Sequence, residues 1–423
     1  MLEAYRDEKN NRIQWIDVLV LIFLAFSLSG ITSDLYMYIS LALCALTMLA
    51  LLIQSGFKVT ISDRRILCAG FVVLYMTVVG YPVGGIVFAL KKALEAAIHF
   101  SMIILFLYYK DKRGTRSYSF VLTGLLIITF IYMLNAYNAY TSLDVNARRI
   151  ADHTGDYGVI AIGGGYGFAY ALSLLGVFLF DALRNGRIQK QSRKILAAVM
   201  IVFIALVVYE TLSTITLVAF VFGLLVSLII PPVRKDPLRG SNAAQVVLFT
   251  ILVFVILVLL LPVIGNLLIS ISAGNTTVLG DRLQSLGNML AGAGDGDYAE
   301  GRLSIPLKSI NTFLKNPLIG VAHQHGNGFY RPKYFGVGNH CEWVDALANF
   351  GLIGGIPYLY IYFKTLKDDY TGSDQLGLGL AATFLLMGTF NPFRTMQSSI
   401  IFFLLIPLLI GAINPKQEKA VNV

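Results

Sequence analysis

Long apolar runs alternate with short polar loops along almost the whole chain. A helix that crosses the hydrocarbon core of a bilayer needs roughly 17–25 apolar residues. Runs of about that length recur about twelve times by this criterion. They lie at 15–31, 35–54, 65–81, 93–109, 118–137, 158–180, 195–209, 212–230, 244–264, 345–363, 375–389 and 397–414. The pattern predicts an all-α integral membrane protein with about twelve transmembrane helices.

One long polar insert interrupts this pattern, between Gly280 and Gly355. Apolar periodicity predicts two short helices in it, at 280–291 and 302–315, joined by the flexible stretch AGAGDGD. Asn316–Pro317 is expected to end the second helix. We therefore divide the chain into three parts. They are a transmembrane bundle at 1–264 with about nine helices, a long helical extracytoplasmic loop at 265–344, and C-terminal transmembrane helices with a cytoplasmic tail at 345–423.

Composition supports a membrane protein and argues against two other classes. Hydrophobic residues make up 56% of the chain and charged residues only 13%, so an ordinary soluble protein is excluded. The net charge of +9 comes mostly from short loops between spans, where cations orient a membrane protein, so we expect no nucleic-acid partner. The three cysteines provide no disulfide framework. The first apolar run is interpreted as a retained helix, since no small-residue cleavage site follows it.

The distribution of lysine and arginine predicts the orientation. If the spans alternate, most cations fall on one side, which must be cytoplasmic. They are Arg6, Lys9, Arg12, Lys58, Arg64, Arg65, Lys110, Lys112, Arg113, Arg116, Arg184, Arg187, Lys190, Arg193, Lys194, Arg234, Lys235, Arg239, Lys364, Lys367, Lys416 and Lys419. Both termini are then inside, and the insert is outside.

Three arginines in short outer loops run against this bias: Arg148, Arg149 and Arg394. An anionic ligand at the outer surface is one explanation, because guanidinium groups bind phosphate oxygens well. Snorkelling to lipid phosphates is the other. In the insert, Arg282 and Arg302 lie near the starts of the two predicted helices, where a cation opposes the helix dipole. This mismatch hints at a role other than structure.

The segment Asn339-His340-Cys341-Glu342 leads into the tenth predicted span and allows two interpretations. In the structural one, Asn339 is the N-cap, Glu342 is its return partner, and Asp345 adds a favourable first-turn charge. In the chemical one, His340 is a proton acceptor at the membrane boundary, beside the two carboxylates. A metal site at His323, His325 and His340 is disfavoured, because no second shell can be named, so no metal or other cofactor is expected.

These residues resemble a known family. An arginine-led helix is followed by Asn-Pro-Leu-Ile-Gly-Val at 316–321, then by His340 and Glu342-Trp343-Val344-Asp345, and finally by Asn-Phe-Gly-Leu-Ile-Gly at 349–354. This order is similar to that of the O-antigen ligase and polymerase superfamily, integral-membrane glycosyltransferases of the GT-C type. The close resemblance covers residues 280–355. The multispanning layout with one late outer loop extends it.

The resemblance implies a substrate, a membrane and a set of site residues. The donor would be an oligosaccharide on polyprenyl (undecaprenyl) diphosphate, used at the outer face of the bacterial cytoplasmic membrane. His340 would be the catalytic base, with Glu342 and Asp345 as rivals. Arg302 would bind the diphosphate, followed by Arg282, Arg148 and Arg149. A chain-length regulator and a flippase of the same pathway would be partners.

Within the superfamily, the chain resembles the polymerases of O-antigen and capsule repeat units more than the ligases. Ligases resemble one another in a Ser/Thr-Arg pair at an outer turn before a span, and here that turn has Ser213-Thr214 with no arginine. A ligase that transfers glycan to lipid A core remains an alternative. A lipid-linked saccharide flippase is an alternative from another class. A flippase favours polar residues within its spans and a two-half layout, whereas this chain has one asymmetric insert.

Overall fold

The computed structural model describes residues 13–29, 34–55, 63–112, 115–142, 165–211, 213–229, 263, 265–273, 280, 283–284, 287–288, 296–321, 337–338, 341–371, 378–391, 393 and 395–413. Within these ranges, the side chains of 34–37, 55, 111–112, 142, 214, 296–305 and 371 are not described. Every regular element in the described part is helical, which confirms the predicted all-α class.

The helices are numbered here in chain order. They are α1 (Trp15–Leu28), α2 (Asp34–Ser55), α3 (Arg64–Lys112), α4 (Thr115–Ser142), α5 (Tyr166–Arg184), α6 (Gln191–Glu210), α7 (Thr214–Ile229), α8 (Gly296–Lys315), α9 (Glu342–Thr365), α10 (Leu378–Phe390) and α11 (Met396–Ile413). A π-helical turn, Leu366–Thr371, continues α9, and another, Ile400–Leu405, lies within α11.

Six of the described helices are long and apolar enough to cross a membrane: α3, α4, α5, α6, α9 with its π-helical extension, and α11. Four shorter apolar helices accompany them, at Trp15–Leu28, Tyr38–Gln54, Ile215–Ile229 and Leu378–Phe390. The protein is therefore a helical, multi-pass membrane protein. The predicted span at 244–264 lies outside the described residues apart from Val263, so the count of twelve stays a prediction.

Helix α3 is a hairpin of two helices rather than one long rod. Gly84 and Gly85 leave helical geometry, and Gly85 has φ 74° and ψ −174°, a conformation that is essentially restricted to glycine. A Cβ on Gly80 would lie 3.3 Å from the Cα of Ala89. In a straight helix two residues nine apart are separated by about 13.5 Å, so the chain doubles back here. The two halves correspond to the separate spans predicted at 65–81 and 93–109.

Side-chain contacts join several helix ends at one end of the bundle. Tyr109, near the end of α3, donates to Asp17 in the first turn of α1 at 3.0 Å. Arg65, at the start of α3, pairs with Asp369 just beyond α9, and Tyr118, at the start of α4, donates to the carbonyl of Leu408 in α11. These contacts show that the helix ends share one end of the bundle. They are the ends that the charge distribution predicts to be cytoplasmic, so the contacts agree with alternating spans.

Aromatic packing holds the last three helices together. Phe384 of α10 stacks on Phe402 of α11 with ring centroids 4.5 Å apart, and Tyr362 of α9 contacts both rings. Phe393, in the link between α10 and α11, is 1% exposed and meets Phe384 edge-on. In a bilayer, close packing of this kind is a main source of helix association. It gives the first turn of α9 a rigid support.

Candidate active site

The first turn of α9 contacts both α8 and the link between α10 and α11. Trp343 packs against α10, where Gly388 makes room for it: a Cβ there would lie 2.2 Å from Cζ2 of the indole. The indole also contacts Phe384 at a centroid distance of 5.2 Å. The described contacts are those of an anchor for the helix start.

Asp345 ties the start of α9 to α8. Ser309 of α8 donates to Oδ1 of Asp345, and the backbone amide of Cys341 donates to Oδ2 at 2.9 Å. The amide of Gly338 donates to the hydroxyl of Ser309 at 2.8 Å. Ser309 and Asp345 are fully buried. The residues on both sides of Asn339 and His340 are therefore held by one small hydrogen-bonded group.

The predicted cap of this turn, with Asn339 as the N-cap and Glu342 as its return partner, is wrong, whereas the predicted acidic residue in the first turn, Asp345, is confirmed. Helix α9 begins at Glu342, and its N-cap is Cys341, which makes no side-chain capping bond. Asn339 is therefore not the N-cap. Asp345 accepts the N-cap amide instead, from one turn into the helix. The start of α9 also lies three residues before the predicted span at 345–363.

Glu342 ties the same turn to the link between α10 and α11. Its Oε1 accepts from the hydroxyl of Tyr358 at 2.5 Å, and its Oε2 accepts from the amide of Phe393 at 2.7 Å. The side chain is fully buried. A general base must reach the proton it removes. Two protein donors on a buried carboxylate therefore favour a positioning role for Glu342 over direct contact with a substrate.

The hydrogen bonds continue from Tyr358 into the bundle. The hydroxyls of Tyr358 and Tyr362 lie 3.2 Å apart, and the hydroxyl of Tyr362 lies 2.5 Å from Nε2 of His99 in α3. Nδ1 of His99 contacts the hydroxyl of Ser399 in α11, which lies 2.9 Å from the carbonyl oxygen of Thr395. None of these residues was predicted from the sequence as part of the site. The available signal was His99 itself, an ionisable side chain inside an apolar span.

A backbone junction connects the end of α8 to the middle of α9. The amides of Val321, Leu352 and Ile353 donate to the carbonyls of Ala348, Pro317 and Leu318, at 3.0, 2.7 and 3.1 Å. Gly351 breaks α9 here with φ 58° and ψ −163°, and Gly320 has φ 73°. A Cβ on Gly351 would lie 2.2 Å from the carbonyl oxygen of Leu318. The Asn-Pro-Leu-Ile-Gly-Val and Asn-Phe-Gly-Leu-Ile-Gly motifs are therefore the two sides of one contact.

Arg302 is described only as part of the backbone of α8. It precedes Ser309 by seven residues, which is about 10.5 Å along a helix, and it lies on the same helix face. The helix begins at Gly296, so the prediction of a helix starting near 302 is wrong. The expected conflict between Arg302 and the helix dipole is wrong with it, because the dipole acts mainly within the first turn.

The other predicted site residues lie outside the described part of the chain. They are His340, Arg282, Arg148 and Arg149. Of the predicted set, Glu342 and Asp345 are placed with their side chains, three residues apart in α9. The described residues contain no group of three or more His, Cys, Asp or Glu side chains that could hold a metal. His323 and His325 also fall outside the described ranges.

Cys341 lies inside this cluster and is 5% exposed. Burial is the largest effect and raises the pKa of its thiol; backbone hydrogen bonds at Val344 and Trp343 lower it, the charges of Asp345 and Glu342 raise it, and the net pKa is raised. The thiol is therefore protonated at neutral pH, because even an ordinary cysteine has a pKa near 8.5. A protonated, buried thiol is a poor nucleophile and a poor metal ligand.

A family model described as O-antigen ligase matches residues 196–359. This segment belongs to the O-antigen ligase and polymerase superfamily. No curated protein matches the chain. The matched segment contains α8, the Gly320–Gly351 junction and the first turn of α9, which are the parts assembled around Asp345. The match therefore agrees with the resemblance inferred from the motifs.

The superfamily segment ends at residue 359, inside α9. Glu342 and Tyr358 lie within it, whereas Tyr362, Phe393, Ser399 and His99 lie outside it. The buried hydrogen bonds thus connect the superfamily segment to α3 and to the C-terminal helices. The superfamily carries out glycosyl transfer of the ligase or polymerase type at a membrane.

Proposed function

We propose that the protein polymerises polyprenyl-diphosphate-linked oligosaccharide repeat units into O-antigen or capsular or extracellular polysaccharide. The reaction takes place at the outer face of the bacterial cytoplasmic membrane, with both termini inside. One observation carries the proposal most: the superfamily match includes a turn in which Ser309 holds Gly338 and Asp345 holds Cys341, the residues that flank Asn339 and His340 in the sequence. A base whose flanking backbone is held in this way suits a reaction that depends on alignment.

In the proposed reaction, an acceptor sugar hydroxyl attacks the anomeric carbon of the lipid-linked donor. The new glycosidic bond forms while the bond to the polyprenyl diphosphate breaks, and the bonding electrons leave with the diphosphate. His340 takes the hydroxyl proton, or orients that hydroxyl. Arg302, with Arg282, Arg148 and Arg149, neutralises the leaving diphosphate, because guanidinium groups match phosphate oxygens without a metal.

The carboxylates take supporting roles in this scheme. Asp345 and Glu342 are buried and accept hydrogen bonds from protein groups with both oxygens. We therefore assign the proton transfer to His340 and the alignment of the turn to the two acids.

A ligase is the second candidate, since the matching family is described as O-antigen ligase. The turn between α6 and α7 supports the polymerase. Its polar groups bond within the turn: Thr216 donates to Ser213 at 2.7 Å, and Thr211 donates to the carbonyl of Val208 at 2.7 Å. The arginine that resembles the ligase pattern is absent from the sequence there.

Purified protein in liposomes, supplied with its lipid-linked repeat unit, distinguishes the candidates. A polymerase produces a ladder of products that grow by one repeat unit. Transfer of one block to lipid A core would indicate a ligase, and movement of the lipid without new bonds would indicate a flippase. Arg302→Ala should lower the ladder yield by about a hundredfold, as loss of a group that stabilises developing charge does. Lys308→Ala, which removes a cation from the same helix, is the matched control.

A further inference from the structure

The buried polar contacts around Glu342 start and end on the same short segment. Glu342 accepts from the amide of Phe393, and Ser399 lies 2.9 Å from the carbonyl oxygen of Thr395. Between these ends run Tyr358, Tyr362 and His99. The chain of contacts therefore closes on Phe393–Thr395, the link between α10 and α11.

We propose that His99, Tyr362, Tyr358 and Glu342 form a positioning network that holds Phe393–Thr395 against the first turn of α9 during glycosyl transfer. The inference rests on the proposed function. None of the four side chains needs to touch the substrate, and they act through the backbone of the segment that they hold.

The direction of the hydrogen bonds supports a positioning role. The hydroxyl of Tyr358 donates its single proton to Oε1 of Glu342. Tyr358 has then used its proton, so Tyr362 donates to Tyr358, and His99 donates from Nε2 to Tyr362. All three donors thus point towards Glu342, and such aligned chains strengthen one another in a medium of low dielectric constant. The side chain of Glu342 is held in one orientation and in turn holds the amide of Phe393.

The remaining contacts of the segment are also tight. The hydroxyl of Thr395 accepts from the amide of Ser398 at 3.2 Å and so caps α11. Ser398 donates to the carbonyl of Gly167 at the start of α5 at 3.2 Å. A Cβ on Gly167 would lie 2.4 Å from the hydroxyl oxygen of Thr395. The segment is therefore fixed from α5, α9 and α11 together.

The residue between Phe393 and Thr395 explains why the position of the segment matters. Arg394 is one of the outer-loop cations that oppose the orienting charge bias, for which an anionic ligand is one explanation. It lies outside the described residues, but its neighbours on both sides are the residues that the network holds. A guanidinium carried by a segment that the network holds would supply the positive charge that a departing diphosphate needs.

Two measurements on the full-length protein test the network. The first is amide hydrogen exchange of the peptide that covers 391–399, which does not depend on the reaction. The second is the kcat and the donor KM of chain growth. Tyr358→Phe and His99→Phe should both raise exchange in this peptide. They should lower kcat by about tenfold to a hundredfold, the cost of a misplacement of about 1 Å, with donor KM changed by less than about threefold because alignment matters most in the transition state.

A conservative variant and a matched control separate positioning from other roles. His99→Gln keeps a donor near the Nε2 position, so it should retain kcat within about threefold if alignment is the role. Tyr109→Phe removes a buried hydroxyl from another carboxylate, Asp17, at the opposite end of the bundle. It should leave kcat and the exchange of 391–399 unchanged. Its melting temperature shows how much stability the loss of one such hydroxyl costs, and the melting temperature of Tyr358→Phe is compared with it.

Three outcomes would overturn the inference. Unchanged exchange at 391–399 in Tyr358→Phe would show that the network does not hold the segment, whatever reaction the protein catalyses. Wild-type kcat in both Tyr358→Phe and His99→Phe would show that holding it is irrelevant to turnover. A loss in His99→Gln as large as in His99→Phe would point to imidazole chemistry instead. Absence of any glycan product from the wild type would count against the proposed function, and the exchange result would still decide the network.

Discussion

Two carboxylates three residues apart in α9 have different partners. Asp345 bonds to α8 through Ser309, and Glu342 bonds to the α10–α11 link through Phe393. Residues three apart on a helix are neighbours on its surface, so one turn of helix is enough to connect three parts of the bundle. Both side chains are fully buried. Because both carboxylates are occupied by hydrogen bonds to protein groups, we assign the proposed proton transfer to His340, the residue before the N-cap.

The thiol of Cys341 should react slowly. Burial raises the pKa of the thiol, so little thiolate forms at neutral pH. Cys341 is also only 5% exposed, so a reagent in solution reaches it poorly. In a background without other cysteines, Cys341 should be alkylated at pH 7.5 at least about tenfold more slowly than the cysteine of a Lys315→Cys variant at the exposed end of α8. Equal rates would show that the first turn of α9 is open. Cys341→Ser should retain activity.

The sequence predicted the importance of this turn but not its connections. Glu342 and Asp345 were identified from residue type and place. Their partners were not, because Ser309, Phe393 and Tyr358 are separated from them by 16–51 residues along the chain and carry no local signal. His99 was overlooked although its polarity within an apolar run is such a signal.

At the scale of elements, the main joint is the backbone contact between Gly320 and Gly351. It lets α9 break without leaving amides unpaired, since the amides of Leu352 and Ile353 find carbonyls at the end of α8. The family motifs contained both glycines. Their pairing could not be predicted, because a glycine in a membrane span usually indicates only close helix packing.

Gly351→Ala should destabilise the protein by at least about 2 kcal/mol, because φ 58° with ψ −163° is essentially restricted to glycine and the methyl group would meet the carbonyl of Leu318. Gly70→Ala is the control. Gly70 lies within α3 with nothing within 4 Å of the added Cβ, so that change should be neutral or stabilising by up to about 1 kcal/mol. Unfolding in mixed detergent micelles measures both, and equal effects would contradict the account of the joint.

Arg65 is the second element-scale contact, at the other end of the bundle. It pairs with Asp63 at 2.7 Å and with Asp369, and its side chain is 3% exposed. Arg65→Met leaves Asp369 buried without this cation, so stability should fall by about 3–5 kcal/mol. Lys92→Met removes the cation of a half-exposed pair with Glu95 and should cost at most about 1 kcal/mol. A similar loss in both variants would show that Arg65 does not lock α3 to α9.

The ion pair between Arg65 and Asp63 predicts that the stability of the protein depends on pH. Burial raises the pKa of Asp63, but the hydrogen bonds and the charge of Arg65 outweigh it, and the net pKa is lowered. A carboxyl group with a lowered pKa in the folded state stabilises it at neutral pH. That contribution is lost as the pH falls below about 4, the pKa of the unfolded chain. Asp63→Asn should therefore flatten the acid limb of the stability profile, measured by the same unfolding assay, and an unchanged limb would contradict it.

At the scale of the whole molecule, apolar run length predicted most of the helices and their order, because membrane spans carry a strong compositional signal. The hairpin in α3 followed from two predicted spans, while the glycines that make it were not recognised. The start of α8 was misplaced by six residues, since the polar sequence around Gly296 gives no apolar periodicity. The proposed site lies at the end of the bundle away from the Arg65–Asp369 pair, where α9 and α11 begin.

The central claim is that this end of the bundle transfers glycans with His340 as the base. The most direct measurement is the kcat of chain growth on the lipid-linked donor for His340→Ala beside His323→Ala, a control from the same outer insert. We expect His340→Ala to lose at least about a hundredfold, the usual contribution of a general base, while His323→Ala stays within about threefold of the wild type. Wild-type turnover in His340→Ala would contradict the account.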